Sequence, residues 1–191
     1  MLLEAAFVTF LLAAAPAAPP PAVPSGRYVL INGLLAPSEW DDALAVPLDP
    51  ETELRIKQDD RSVFLALVFK GPRHTGLDLY WSTGGPSEMF HVSSALGERH
   101  RKSGTWSEME WGTNRLWTAN PVGLISGGGG QQVLAPEAFE LQIDKARLAG
   151  LDLRLFVHLK RPEKTLPAGA TPEKPGSWLA VPLRVAGSPR P

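Results

Sequence analysis

Glu53-Leu54-Arg55-Ile56-Lys57-Gln58-Asp59-Asp60-Arg61-Ser62-Val63-Phe64-Leu65-Ala66-Leu67-Val68-Phe69-Lys70 contains two strand-like runs joined by a polar turn. In the first run Leu54 and Ile56 fall on one face, because successive side chains of a strand point to opposite sides. In the second, Val63, Leu65, Leu67 and Phe69 oppose Phe64, Ala66 and Val68, so both faces are apolar and both have to be covered. Gln58-Asp59-Asp60-Arg61 supplies the turn residues between them. The pair is predicted to be a hairpin whose second strand is central in a two-layer structure.

Upstream, Asn32-Gly33 predicts a turn, and a brief helical segment is expected after Pro37 with Ser38 as its N-cap and Trp40 at the core or its edge. Downstream, Gly71-Pro72 breaks the hairpin. In the next run Leu77, Leu79 and Trp81 share a face, with Asp78 and Tyr80 opposite. Gly84-Gly85-Pro86 ends that strand and Met89 begins another. Residues 103–117 are rich in Trp, Glu and Thr and give no clear strand boundaries. Ala119 to Ile125 reads as a strand running into the hairpin connection Ser126-Gly127-Gly128-Gly129-Gly130. Ala138-Phe139-Glu140-Leu141-Gln142-Ile143 alternates, and Asp144 is placed to cap one helical turn. Leu151, Leu153, Leu155 and Val157 form one face of a further strand, and residues 178–185 supply the last, after a proline-rich loop at 162–176. Many short strands with Gly and Pro punctuation and almost no helix give an all-β fold class: a two-layer antiparallel β-sandwich with one or two short helical turns.

The chain has 191 residues, and its first 25 read differently from the rest. An apolar run to Leu12 precedes small residues, with Ala15 and Ala17 spaced as the −3 and −1 positions of a cleavage site, the pattern of a secretory signal peptide followed by an Ala/Pro-rich segment. Against this stand Glu4 and the lack of Lys or Arg before the apolar run; the alternative is an amphipathic or buried first helix. The run is about a dozen residues, short of the ~20 that span a bilayer, so no membrane span is expected after cleavage. The expectation is therefore export, to the periplasm or beyond, with a domain over residues 26–186 and a disordered tail at 187–191. Cysteine is absent, which excludes disulfides, thiolate metal sites and a cysteine nucleophile. The formal charge of −1 becomes zero when Glu4 is removed, and nucleic acid is not an expected partner, because phosphate binding needs a clustered basic surface. Arg99-His100-Arg101-Lys102 reads as a solvated hairpin end.

Taken in order, Ile31-Asn32-Gly33, Glu39-Trp40 to Ala43, the hairpin from Leu54 to Phe69, the strand from Thr75 to Ser82, Phe139-Glu140-Leu141-Gln142-Ile143 and Gly176-Ser177-Trp178 resemble the family 9 carbohydrate-binding modules and the wider group of sandwich domains related to DOMON. The resemblance covers most of residues 28–185 and rests on order and spacing. It implies a β-sandwich that binds without catalysing. In sugar-binding members two tryptophans clamp a sugar ring, one before the strand that corresponds to Thr75–Ser82 and one before the last strand. Trp178 takes the second place; at the first the chain has Gly71-Pro72-Arg73-His74.

The expected ligand residues are accordingly Trp178, His74 and Arg73: a sugar-like ring stacked on Trp178, with Arg73 and His74 bonding to hydroxyls or a carboxylate. The other reading is a structural or protein-interaction sandwich of the cell envelope that has lost the sugar site. Exposure separates them: Trp178 uncovered in a cleft favours binding, and Trp178 packed under the 162–176 loop favours the second reading. Trp106, Trp111 and Trp117, with Glu108, Glu110, Asn114 and Arg115, form either an aromatic platform or the cover of a long hairpin. Met89 and His91 share a strand face and so do not bracket one iron; no haem, other cofactor or metal is expected. No catalytic constellation is demanded, although Glu88, Glu108, Glu110 and Glu140 leave distant carboxylate pairing open.

Overall fold

Two antiparallel sheets pack face to face in the computed structural model, which describes residues 22–182 apart from residues 115, 128–129, 149 and 151. The signal-peptide reading and the tail at 187–191 lie outside the described residues, except that 22–25 are described and tied into the fold. Numbered along the chain, one sheet has the order β1 (Leu44–Asp49), β2 (Thr52–Gln58), β3 (Ser62–Phe69), β12 (Ala138–Asp144), β9 (Trp117–Ala119). The other runs β14 (Lys164–Leu166), β13 (Asp152–Lys160), β4 (Gly76–Ser82), β5 (Ser87–Val92), β6 (Leu96–Lys102), β7 (Thr105–Trp106), with β15 (Leu179–Pro182) also on β13 and β8 (Glu110–Trp111) also on β6. Among the described residues, β10 (Gly123–Gly127) and β11 (Gly130–Leu134) pair only with each other. The fold is an all-β sandwich, with two 3-10 turns among the described residues, Lys145–Arg147 and Pro175–Ser177.

Period-2 alternation fills the space between the sheets. Leu54, Ile56, Val63, Leu65, Leu67, Phe139, Leu141 and Ile143 of one sheet meet Leu77, Leu79, Trp81, Phe90, Leu153, Leu155 and Val157 of the other. Each such side chain contributes roughly 1.5–3 kcal/mol on burial. Asp59 closes the β2–β3 turn by accepting from the backbone N–H groups of Arg61 and Ser62, and Asp144 caps the first 3-10 turn through Ala146 N–H.

The outer face of β3 is covered by the chain's own N-terminal segment. Val29 and Trp40 pack on Phe64, Ala66, Val68 and Ala138, and Val23 enters the main core three residues ahead of the boundary expected at Gly26. Residues 37–43 make hydrogen-bonded turns and no helix, and Ser38 has φ 64° and caps nothing. The side chains of this stretch bond elsewhere: Glu39 accepts from Leu30 N–H, and Asp42 accepts from Arg27 N–H and holds the wholly buried Lys57 at 2.6 Å. A stretch this short does not offset the cost of starting a helix.

One carboxylate fastens the segment. Glu140 of β12, fully buried, accepts from the backbone N–H groups of Asn32 (2.9 Å) and Gly33 (2.8 Å) and from Trp40 Nε1–H (3.0 Å). Gly33 sits at φ 78°, and a Cβ there would lie 2.5 Å from Asn120 Nδ2. Gly33→Ala is expected to destabilise the domain by about 2 kcal/mol or more, from left-handed backbone cost plus that contact, measured by urea unfolding. An unchanged midpoint would show that the turn is not held as described.

Candidate ligand face

The three residues expected to bind ligand do not meet. Trp178 is 3% exposed, beneath the 162–176 loop: it packs on Phe156 and Ala170, and its Nε1–H donates to Thr171 O at 2.8 Å. Tyr80 stacks on Phe156 in the same cluster (4.2 Å, 6°), and burial pushes its hydroxyl up to about 12. Trp178 therefore offers no open ring for a sugar, the outcome that favours the structural reading at that position. His74 is buried elsewhere, its ring 4.9 Å from that of Phe69 and its Nδ1–H donating to Pro162 O at 2.8 Å. Burial, with Lys164 nearby, holds the His74 imidazole below its ordinary range. Arg73 is exposed and reaches Glu137 at 3.4 Å. No hydrogen bond or ring contact among the described residues joins Trp178 to Arg73 or His74.

Strand pairing assembles a different set on the outer face of the larger sheet. His158, Asp78, His91, Gly97 and Trp111 are successive cross-strand partners on β13, β4, β5, β6 and β8, a line about 19 Å long at the usual strand spacing. Trp111 is 66% exposed. Its indole leans over Gly97, where a Cβ would come within 3.1 Å of Cε3, and it meets the His91 ring edge to face at 5.7 Å. Of the other two tryptophans in this region, Trp117 is core and Trp106 lies half-buried against Tyr80.

The polar groups beside Trp111 are tightly bonded. Asp78 Oδ1 stands 2.6 Å from His91 Nδ1, and Oδ2 stands 2.9 Å from Lys160 Nζ. Burial alone pushes the Asp78 carboxyl up, but hydrogen bonds from His91 and Lys160 and their charge outweigh it and hold the group below the usual range. An ionised carboxylate only accepts, so Nδ1 of His91 carries a proton; in the neutral ring Nε2 is then an acceptor. Ser93 Oγ lies 2.9 Å from that Nε2. The Ser93 hydroxyl has a second acceptor for its one proton in Ala95 O at 3.1 Å, and it accepts from Ala95 N–H at 3.2 Å, closing the β5–β6 turn.

His91 and Ser93 border a cleft of about 320 Å³ whose other walls include Ser94, Lys160, Arg161 and, from the β10–β11 hairpin, Leu124 and Val133. Leu124 and Val133 are cross-strand partners and both are exposed. The cleft thus has an apolar side and a polar side with an open aromatic ring adjoining, the composition of a small-ligand site.

Two of the carboxylates singled out in the sequence are otherwise engaged, while Glu108 and Glu110 are exposed. Glu140 fastens the N-terminal segment, and Glu88 pairs with Arg147 at 3.0 Å on the other sheet. Glu98, His100 and Glu110 each bring one ligand atom to within 4.8 Å of the others, but Arg147 Nη1 holds Glu98 at 2.6 Å and neutralises the charge a cation would need. Among the described residues no helix is long and apolar enough to cross a membrane. Neither the family models nor the curated proteins nor the solved structures compared with this chain match it, so the site stands on its own geometry.

Proposed function

We propose that the protein is an exported binding module for a carbohydrate or sugar-like ring, received on Trp111 beside the cleft under the β10–β11 hairpin. The observation that carries this is the open Trp111 indole, seated over Gly97 and braced by His91. A sugar's face of C–H groups stacks on such a ring, while its hydroxyls find Ser94, Lys160 and Arg161 along the cleft.

Calorimetric titration with mono-, oligo- and polysaccharides tests the reading. Trp111→Ala is expected to weaken binding at least tenfold, about 1.4 kcal/mol, while its unfolding free energy moves by no more than about 0.5 kcal/mol, as for an exposed side chain. Heat on saccharide addition that is equal in parent and variant would place the ligand elsewhere. A second reading, an envelope domain that docks on another protein, is favoured by Ile125 and Leu134, exposed on the β10–β11 hairpin on the face opposite Leu124 and Val133. A folded parent that responds to no saccharide would transfer the assignment to it.

A further inference from the structure

We infer that the cleft also carries an acyl-ester hydrolase centre, with Ser93 as nucleophile, His91 as general base and Asp78 as the group that orients the imidazole; the inference rests on the reading above for its substrate class, an O-acylated sugar. Nucleophile, base and orienting carboxylate stand in sequence at 2.9 Å and 2.6 Å, within the reach that proton transfer requires. Such a relay is recognised by geometry and roles and has no fixed order or spacing in the chain. Here pairing of β4 with β5 sets Asp78 opposite His91, and Ser93 follows two residues later, just past the end of β5 in the β5–β6 turn.

Three surrounding features fit the role. Lys160 occupies the far oxygen of Asp78 and fixes the carboxylate, leaving Oδ1 to His91. Trp111 braces the imidazole ring from the side. Arg161 lines the cleft and makes no ion pair with another described residue, so its positive charge is available to a developing oxyanion. Val122, Leu124 and Val133 line the same cleft and suit a short acyl chain.

The reaction balances with water as the only co-reactant. Ser93 Oγ forms a bond to the ester carbonyl carbon as its proton passes to His91 Nε2; the C–O bond to the sugar breaks and the leaving alkoxide takes that proton. Water then attacks the acyl carbon, its proton passes to His91, and the acyl–Oγ bond breaks with return of the proton to Ser93. Ester and water become carboxylic acid and alcohol, with no change of oxidation state.

The test treats the folded parent protein with a fluorophosphonate probe and maps the modified peptide by mass spectrometry, alongside acetate release from O-acetylated xylo-oligosaccharides. Stoichiometric labelling of Ser93, at least 100-fold slower in His91→Ala, is expected, with acetate release at least 100-fold lower in Ser93→Ala. Unlabelled Ser93 in the parent, or labelling equally fast in His91→Ala, would overturn the inference and leave Ser93 as a turn-closing hydroxyl; so would acetate release unchanged in Ser93→Ala. Labelling of the parent needs no variant to fold. Calorimetry with unacylated oligosaccharide separates the two readings: binding without labelling sinks only the hydrolase, and labelling without binding sinks only the saccharide site.

Discussion

Replacing Glu140 with alanine is expected to lower the unfolding free energy by about 3–5 kcal/mol, because it strands three donors, two of them buried, that have no other acceptor among the described residues. Asn32 N–H, Gly33 N–H and Trp40 Nε1–H all end on this one carboxylate. Loss of the acceptor frees the N-terminal segment from β3 and opens Phe64, Ala66 and Val68 to water. Hydrogen exchange is therefore expected to quicken first at β3 and β12, before global unfolding. A change below about 1 kcal/mol would mean that the segment is held by apolar packing alone.

The same group gives a pH signature with an unusual sign. Burial raises the Glu140 carboxyl above its ordinary range, more than the three hydrogen bonds lower it. A carboxyl raised on folding binds its proton more tightly in the folded state, so its contribution to stability is greatest below the ordinary carboxylate range and declines as pH rises through the raised value. Asp78 acts in the opposite sense: held low on folding, it stabilises above the ordinary range and its contribution is lost as pH falls through the lowered value. In Glu140→Gln the stability gap to the parent should narrow as pH rises, while the acid loss attributable to Asp78 remains in both proteins.

The second large effect is expected from Trp178→Ala, about 3–5 kcal/mol of destabilisation from a cavity among Phe156, Ala170 and Tyr80. The indole also anchors the loop through Thr171, so the 162–176 loop should become sensitive to protease in the variant. Trp178→Phe, which keeps most of the volume and loses the N–H, should cost less than half as much. A Trp178→Ala protein with parent stability and altered saccharide affinity would restore this residue to the ligand site.

Much of the sandwich was legible because its core strands obey one rule. Leu54 and Ile56, then Leu77, Leu79 and Trp81, alternate cleanly, and the doubly apolar β3 announced a cover on its second face. What supplies that cover was not legible: residues 37–43 carry helix-start residues but use them to tie Leu30, Arg27 and Lys57, a set of partners visible only in three dimensions. The candidate site is hidden in the sequence for a related reason. Trp178 follows a proline-rich loop, a place where side chains often face solvent, yet the outward-facing Tyr80 and Phe156 give that loop an apolar patch to fold upon. Trp111 lies on a strand of two residues, β8, too short for any periodicity to register. Along the strand the neighbour of His91 on its face is Met89, whereas its chemistry comes from Asp78 across the pairing and Ser93 around the turn.

The most direct measurement of the central claim, that Trp111 and not Trp178 receives the ligand, is tryptophan fluorescence titrated with oligosaccharide in the parent, Trp111→Ala and Trp178→Phe. A saturable change in the parent and in Trp178→Phe, absent from folded Trp111→Ala, is the result expected. Retention of the full response in Trp111→Ala, or its loss in folded Trp178→Phe, would contradict it.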